Sequence, residues 1–194
     1  MIECSFALTT FDKAVWILFW RRRGRASSTL ANLDKVTQIS PFAYELQTDG
    51  TIKNVLKIEQ EPWVTLIAEA KRKNIKVYPT ILSYPHNNKE KNYQYLLLAQ
   101  RKSRKAHVQA IVDLVKKNKF DGIDIDYEAK LAETRPYFSA FLTELATSLH
   151  KERKQLICTI EARTPPDSRY ATTSKEILAK VEYSKAKELG AKDF

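Results

Sequence analysis

Glycine is scarce in this chain, with four among 194 residues and no two adjacent. That scarcity removes the glycine-rich phosphate loop that opens the first helix of a dinucleotide-binding fold. Methionine occurs once, at position 1, and cysteine twice, at Cys4 and Cys158. Two cysteines so far apart suggest neither a disulfide framework nor a zinc site, and Cys158 reads as a buried strand residue. His86, His107 and His150 are scattered with no ligand spacing, and the last two read as helix-surface residues. No metal and no cofactor is therefore expected. The opening Met-Ile-Glu-Cys carries no basic segment and no apolar run of useful length. No signal peptide and no transmembrane span is expected. The location stays open, although a cell-wall or extracellular substrate would require export.

Hydrophobic residues make up 43% of the chain, enough for one domain with a sizeable core. The net charge is +10. Basic residues cluster at Arg21-Arg22-Arg23-Gly24-Arg25, Lys71-Arg72-Lys73, Arg101-Lys102-Ser103-Arg104-Lys105 and Lys116-Lys117-Asn118-Lys119. Solvated helix faces account for such runs, and attraction to a nucleic acid or an anionic wall polymer is the rival reading. No aromatic interleaving or nucleic-acid motif accompanies them, so no nucleic-acid partner is expected.

Strand-like and helix-like stretches alternate. The apolar run Ala14 to Trp20 reads as a buried strand, followed by a helix over Ser27 to Leu33 with Ser27 or Ser28 as N-cap. Val36 to Leu46 holds a second strand, closed by the turn Thr48-Asp49-Gly50. Pro62 starts a helix with Trp63, Ile67 and Ala70 on one face, and Lys76 to Tyr84 is a third strand. Ala106 to Lys117 is a helix with Val108, Ile111, Val112 and Val115 in its stripe, and Phe120 to Glu128 is a fourth strand. Arg135 to Leu149 is a helix, Gln155 to Arg163 a fifth strand, and Ile177 to Leu189 a last helix. Alternation of this kind argues for a parallel sheet covered by helices, an α/β class; an open doubly wound sheet is the alternative.

The densest information lies in Asp121-Gly122-Ile123-Asp124-Ile125-Asp126-Tyr127-Glu128. Successive side chains of a strand point to opposite faces, so Asp124, Asp126 and Glu128 share one face and Ile123, Ile125 and Tyr127 the other. Clustered like charges raise one another's pKa, which suits a site that needs a carboxyl group still protonated near neutral pH. A Mg²⁺ or Ca²⁺ site is a rival, but the spacing is not an EF-hand loop and a strand presents a row rather than a cage. A purely structural role is disfavoured, because burying three carboxylates is costly.

This segment resembles the Asp-x-x-Asp-x-Asp-x-Glu signature of glycoside hydrolase family 18, the family of chitinases, endo-β-N-acetylglucosaminidases and related cell-wall and spore-cortex hydrolases. All four acids match, as do Gly122 and the aromatic Tyr127. The run Asn32 to Val36, with Ser40 to Tyr44 and Thr48 to Gly50, is similar to the second-strand region of spore-germination glycosidases. The resemblance implies a (β/α)8 barrel and a glycan containing N-acetylglucosamine, cleaved at β-1,4 bonds with retention and with the substrate's acetamido group as nucleophile. It implies Glu128 as general acid, Asp126 as orienter of the acetamido group and stabiliser of the oxazolinium, and Asp124 as the partner sharing a proton with Asp126. Asp121 would be structural. A glycan-binding, catalytically silent module is the second reading, although such relatives commonly lose the terminal acid and Glu128 is present.

The pattern departs from the family late in the chain. The sixth-strand Met-Tyr-Asp and the eighth-strand tryptophan have no counterpart, since the only Met is Met1 and the last Trp is Trp63. The expectation is one incomplete domain over 1–194: a partial barrel of about five βα units, a fragment or a truncated product. Further sugar-binding candidates are Trp16, which with Phe19 and Trp20 reads more readily as core, Tyr44 on the second strand, Tyr84 at the end of the third, and Glu161 and Arg163 closing the fifth. The glycan and the oligomeric state are not legible.

Overall fold

The computed structural model describes residues 12–18, 25–85 and 93–160. Phe19, Trp20, His86, Glu161, Arg163, Arg21 to Arg23 and the expected helix over 177–189 lie outside them.

Strand β1 is Ala14–Ile17 and helix α1 is Arg25–Ala31, two residues ahead of the expected serine cap. A 3-10 turn over Leu33–Lys35 leads into β2, Gln38–Leu46. The Thr48-Asp49-Gly50 turn forms as expected, with Gly50 at φ +85° and the Asp49 carboxylate accepting Thr51 N–H at 2.9 Å. It closes an antiparallel hairpin to a short strand, β3 (Ile52–Asn54), which the sequence did not signal.

Helix α2 is Trp63–Arg72. Its most buried residues are Leu66 and Ala70, with Trp63 and Ile67 flanking. The third strand is divided. Lys76–Val77 (β4) pairs with the start of β2, and Thr80–Ser83 (β5) pairs with its end and with the next strand. The break falls at Tyr78-Pro79, because Pro79 has no N–H to give to a ladder. Tyr84 lies beyond the strand.

Two helices follow. Helix α3, Tyr93–Ala99, has no counterpart in the sequence reading; α4, Arg101–Lys117, begins five residues before the expected Ala106. Arg104 explains the early start. It is buried, and its guanidinium donates to Leu98 O at 2.7 Å and Glu144 Oε1 at 3.0 Å, so a charged residue occupies a core-facing position. Strand β6 is Gly122–Tyr127, α5 is Arg135–Lys151 and β7 is Gln155–Cys158. Cys158 is half-buried rather than buried.

The parallel strands run in the order β1-β2-β5-β6-β7, with β4 on the near end of β2. Each new strand lies beside the previous one and the order never reverses. That excludes the doubly wound alternative, whose order turns back at a switch point, and it is the order of successive βα units in a barrel. The core lies between sheet and helices. Ile39, Val77, Ile81, Ile123 and Ile125 meet Leu66, Ile111, Val115, Phe141, Leu145 and Leu149, all fully buried. Each such side chain contributes on the order of 2 kcal/mol.

Gly122 is required by a close approach. A Cβ there would meet Gln155 O at 2.0 Å and Gln155 N at 2.8 Å, both backbone atoms of β7.

Candidate active site

The two faces of β6 are sorted as alternation demands. Tyr127 packs against the helix layer: its ring stacks on Phe141 of α5 at 7° and 5.7 Å, and its hydroxyl meets His107 Nε2 of α4 at 2.6 Å. The odd-numbered residues therefore face the helices, and the even-numbered carboxylates face the opposite, inner side of the sheet.

On that inner side Asp124 is fully buried. β5 and β6 run in register with Thr80 opposite Asp124, and Thr80 Oγ1 donates to Asp124 Oδ2 at 2.8 Å. Thr159, just past β7, donates to Oδ1 at 3.2 Å. Burial raises the Asp124 pKa, and hydrogen bonds from Thr80, Thr159 and the Trp16 side chain pull the other way. Asp126, two residues on, is 3% exposed, and Glu128 is half-buried. The row thus runs from a closed interior at Asp124 to a partly open mouth at Glu128, at the C-terminal end of β6.

The main chain at that mouth is held on both sides. Glu128 N–H donates to Ser83 O at 2.8 Å, extending the β5–β6 pairing past the last strand residue. Glu128 O accepts from Gln94 Nε2 of α3 at 3.0 Å, and the same amide donates to Ser83 Oγ at 2.7 Å. Ser83 Oγ meets Tyr93 OH at 2.5 Å. Gln94 is 2% exposed. Lys130 Nζ donates to Tyr127 O and lies 4.9 Å from the centre of the Phe138 ring.

Asp121 sits at the opposite end of the strand. Its carboxylate accepts Val77 N–H at 2.9 Å, and its carbonyl accepts Gln155 N–H at 3.0 Å, tying β4 and β7 to the start of β6. Trp16 is half exposed and meets Phe42 edge-on at 6.0 Å, at variance with its reading as core. Tyr84 is likewise exposed. Tyr44 is 3% exposed; its buried hydroxyl makes no hydrogen bond among the described residues, and burial, with Glu59 nearby, raises its pKa.

His107 corrects the sequence reading: it is 2% exposed and stacks on Phe141 at 5.5 Å. Its position was signalled, since Arg104, His107, Val108, Ile111 and Val115 share one helical face. His150 is exposed, as read. Thr80, Ser83 and Gln94 were not singled out. Polar residues in the otherwise apolar Thr80-Ile81-Leu82-Ser83 are the signal that was available. Among the described residues no helix is long and apolar enough to cross a membrane.

The comparisons with known proteins bear on the family and the fold. A family model described as "Glycosyl hydrolases family 18" matches residues 15–190. An uncharacterized glycosylase of Bacillus subtilis (strain 168), YvbX, is 24% identical over 148 residues, 74% of this chain and 43% of that protein. Among solved structures, a chitinase from Chromobacterium violaceum superposes with a TM-score of 0.66 at 18% identity, over 82% of this chain and 49% of that one. The spore cortex-lytic enzyme SleL of Bacillus megaterium gives 0.64 at 16% identity, over 88% and 40% respectively. The chain thus spans under half the length of these relatives, and the structural likenesses establish the barrel-type fold.

Proposed function

The chain belongs to glycosyl hydrolases family 18, and on that premise we propose that it carries the acid row of a glycosidase acting on β-1,4 linkages of N-acetylglucosamine-containing glycans of chitin or peptidoglycan type. Glu128 is the general acid, placed at the strand's C-terminal end where barrel active sites lie. Asp126 orients the acetamido group and stabilises the oxazolinium that forms when the acetamido oxygen attacks the anomeric carbon. Asp124 is the positioning residue behind it. Its raised pKa favours a protonated carboxyl, which can donate to Asp126 and so lower the repulsion between them.

The single observation that carries this reading is the burial gradient along one strand face, from a closed Asp124 clasped by two threonines to a half-open Glu128. Half-burial lets a general acid reach a glycosidic oxygen while limiting water at the reaction centre. The mechanism differs from the two-carboxylate scheme because the nucleophile belongs to the substrate.

Release of fluorophore from an N-acetylglucosamine oligomer is the test. Glu128→Gln is expected to lower turnover by about 10²–10⁴-fold with little change in binding. Equal activity of the two forms overturns the assignment of Glu128.

A second reading, a silent glycan-binding module, is favoured by one fact: β1 and β7 each pair on one side only among the described residues. Oligomer binding with no turnover by either form would select it.

A further inference from the structure

The fold gathers basic clusters that are far apart in sequence onto one end of the sheet. The N-terminal ends of the parallel strands form a continuous row, since Thr37 N donates to Lys13 O, Lys76 N to Thr37 O, Asp121 N to Val77 O and Gln155 N to Asp121 O. Parallel strands place the end of each preceding helix at this same rim. Helix α2 delivers Lys71, Arg72 and Lys73, α4 delivers Lys116, Lys117 and Lys119, and α5 delivers Lys151, Arg153 and Lys154. All are exposed except Lys154, which is half-buried. Lys13, Lys35 and Lys76 add to the rim from the strand starts.

The acids there are fewer: Asp12, Asp34, Glu69, Asp121 and Glu152. Three are engaged locally, Glu69 with Arg72 at 2.8 Å, Asp121 with Lys76 at 3.4 Å and Glu152 with Lys116 at 2.8 Å. The surplus is felt. Burial over Phe120 lowers the Lys71 pKa, and Lys119 and Lys154 lower it further, against the pull of Asp121.

Cations at helix C-termini also favour the helix dipole, and that would suffice if they only stood on the last turns. Two go beyond it. Lys119 and Arg153 occupy left-handed positions just past α4 and α5, at φ 54° and 58°, where glycine or asparagine is the unstrained choice. The chain holds cations there despite a cost on the order of 1 kcal/mol each.

We propose that this rim, at the end of the sheet opposite the carboxylate mouth, is a docking surface for a flexible phosphodiester polymer of the polyol-phosphate type. Lysine dominates the rim, and lysine is a mobile point charge suited to phosphates on a flexible chain rather than a fixed fork for planar groups. Val64 shares a cavity with Lys71 and Asn118 but has no ring, and the exposed aromatic residues Trp16 and Tyr84 are not among the strand starts and helix ends that form the rim, so it offers no platform for stacked bases. Six residues of β6 separate the rim from the mouth, roughly 20 Å. A chain docked there leaves the mouth free for a glycan.

The test is binding of the whole chain to fluorescently labelled poly(glycerol phosphate), followed by anisotropy across a salt series. Lys71→Gln/Lys119→Asn/Lys154→Gln is expected to weaken binding on the order of 100-fold, and to flatten the salt dependence. Lys73→Gln/Lys117→Gln/Lys151→Gln, all at exposed positions, should reproduce the loss. Arg101→Gln/Lys102→Gln/Lys105→Gln removes the same charge from the other end of α4 and should leave affinity within about threefold. The proposal is overturned by no binding, by an equal loss in this control set, or by tighter binding of a duplex DNA of equal charge.

Discussion

At the scale of single residues, the helix layer behind the carboxylates holds an ionisable group against its preference. His107 lies among Tyr127 and Phe141, and burial lowers its pKa from 6.5 to about 4. The unfolded chain therefore takes up a proton between those values while the folded chain does not. Stability is full above 6.5 and falls by about 3 kcal/mol as pH drops to 4. Asp124 acts in the opposite sense: its pKa is raised from 3.8, so its contribution is present at low pH and fades as pH rises through the folded value. Urea denaturation at pH 7 and pH 4.5 should show the histidine effect, and His107→Phe should flatten it. An unchanged slope in His107→Phe would assign the acid sensitivity elsewhere. Thr80→Val tests the other side of β6. It removes one of the two threonine donors to Asp124 and is expected to cost about 1–3 kcal/mol, read as a shift in denaturation midpoint.

At the scale of elements, β6 is fixed by its neighbours rather than by its own propensity. Gly122 admits no side chain because β7 lies against it, so Gly122→Ala should destabilise by about 1–3 kcal/mol, with the melting temperature as readout. At the far end, Gln94→Leu strips the donor from Glu128 O and Ser83 Oγ, at an expected cost of about 1–3 kcal/mol. Gln94→Glu keeps the shape but buries a carboxylate against the carbonyl oxygens of Ser83 and Glu128, and should cost more than Gln94→Leu. Helix α3 escaped the sequence reading because it is short and because its buried face carries Tyr93 and Gln94, which periodicity counts as amphipathic or polar. β2, α4, α5 and β6 were legible because their apolar spacing is long or unbroken. The divided third strand was not, since strand propensity on both sides of Tyr78-Pro79 outweighed the missing N–H. The acid row was legible from alternation alone. The threonines that clasp Asp124 were not, because register between strands is a tertiary fact.

At the scale of the whole molecule, the two ends of the sheet differ in charge balance. Three carboxylates line the inner face of β6 toward its C-terminal end, and lysines outnumber acids at the opposite rim. Mutual repulsion within the rim should make stability rise with added salt by about 0.5–1 kcal/mol between low and physiological ionic strength. Lys71→Gln/Lys119→Asn/Lys154→Gln should lose that dependence, as measured by urea midpoints in a sodium chloride series. The basic runs were visible in the sequence, but their convergence depends on parallel strands returning every helix end to one side.

The sealed phenols have a spectroscopic consequence. Tyr44 and Tyr127 are held protonated by burial. In an alkaline absorbance titration near 295 nm the chain's nine tyrosines should not ionise together. The Tyr44 and Tyr127 phenolates should emerge only as the polypeptide denatures, so that the late rise in absorbance coincides with the loss of far-ultraviolet dichroism.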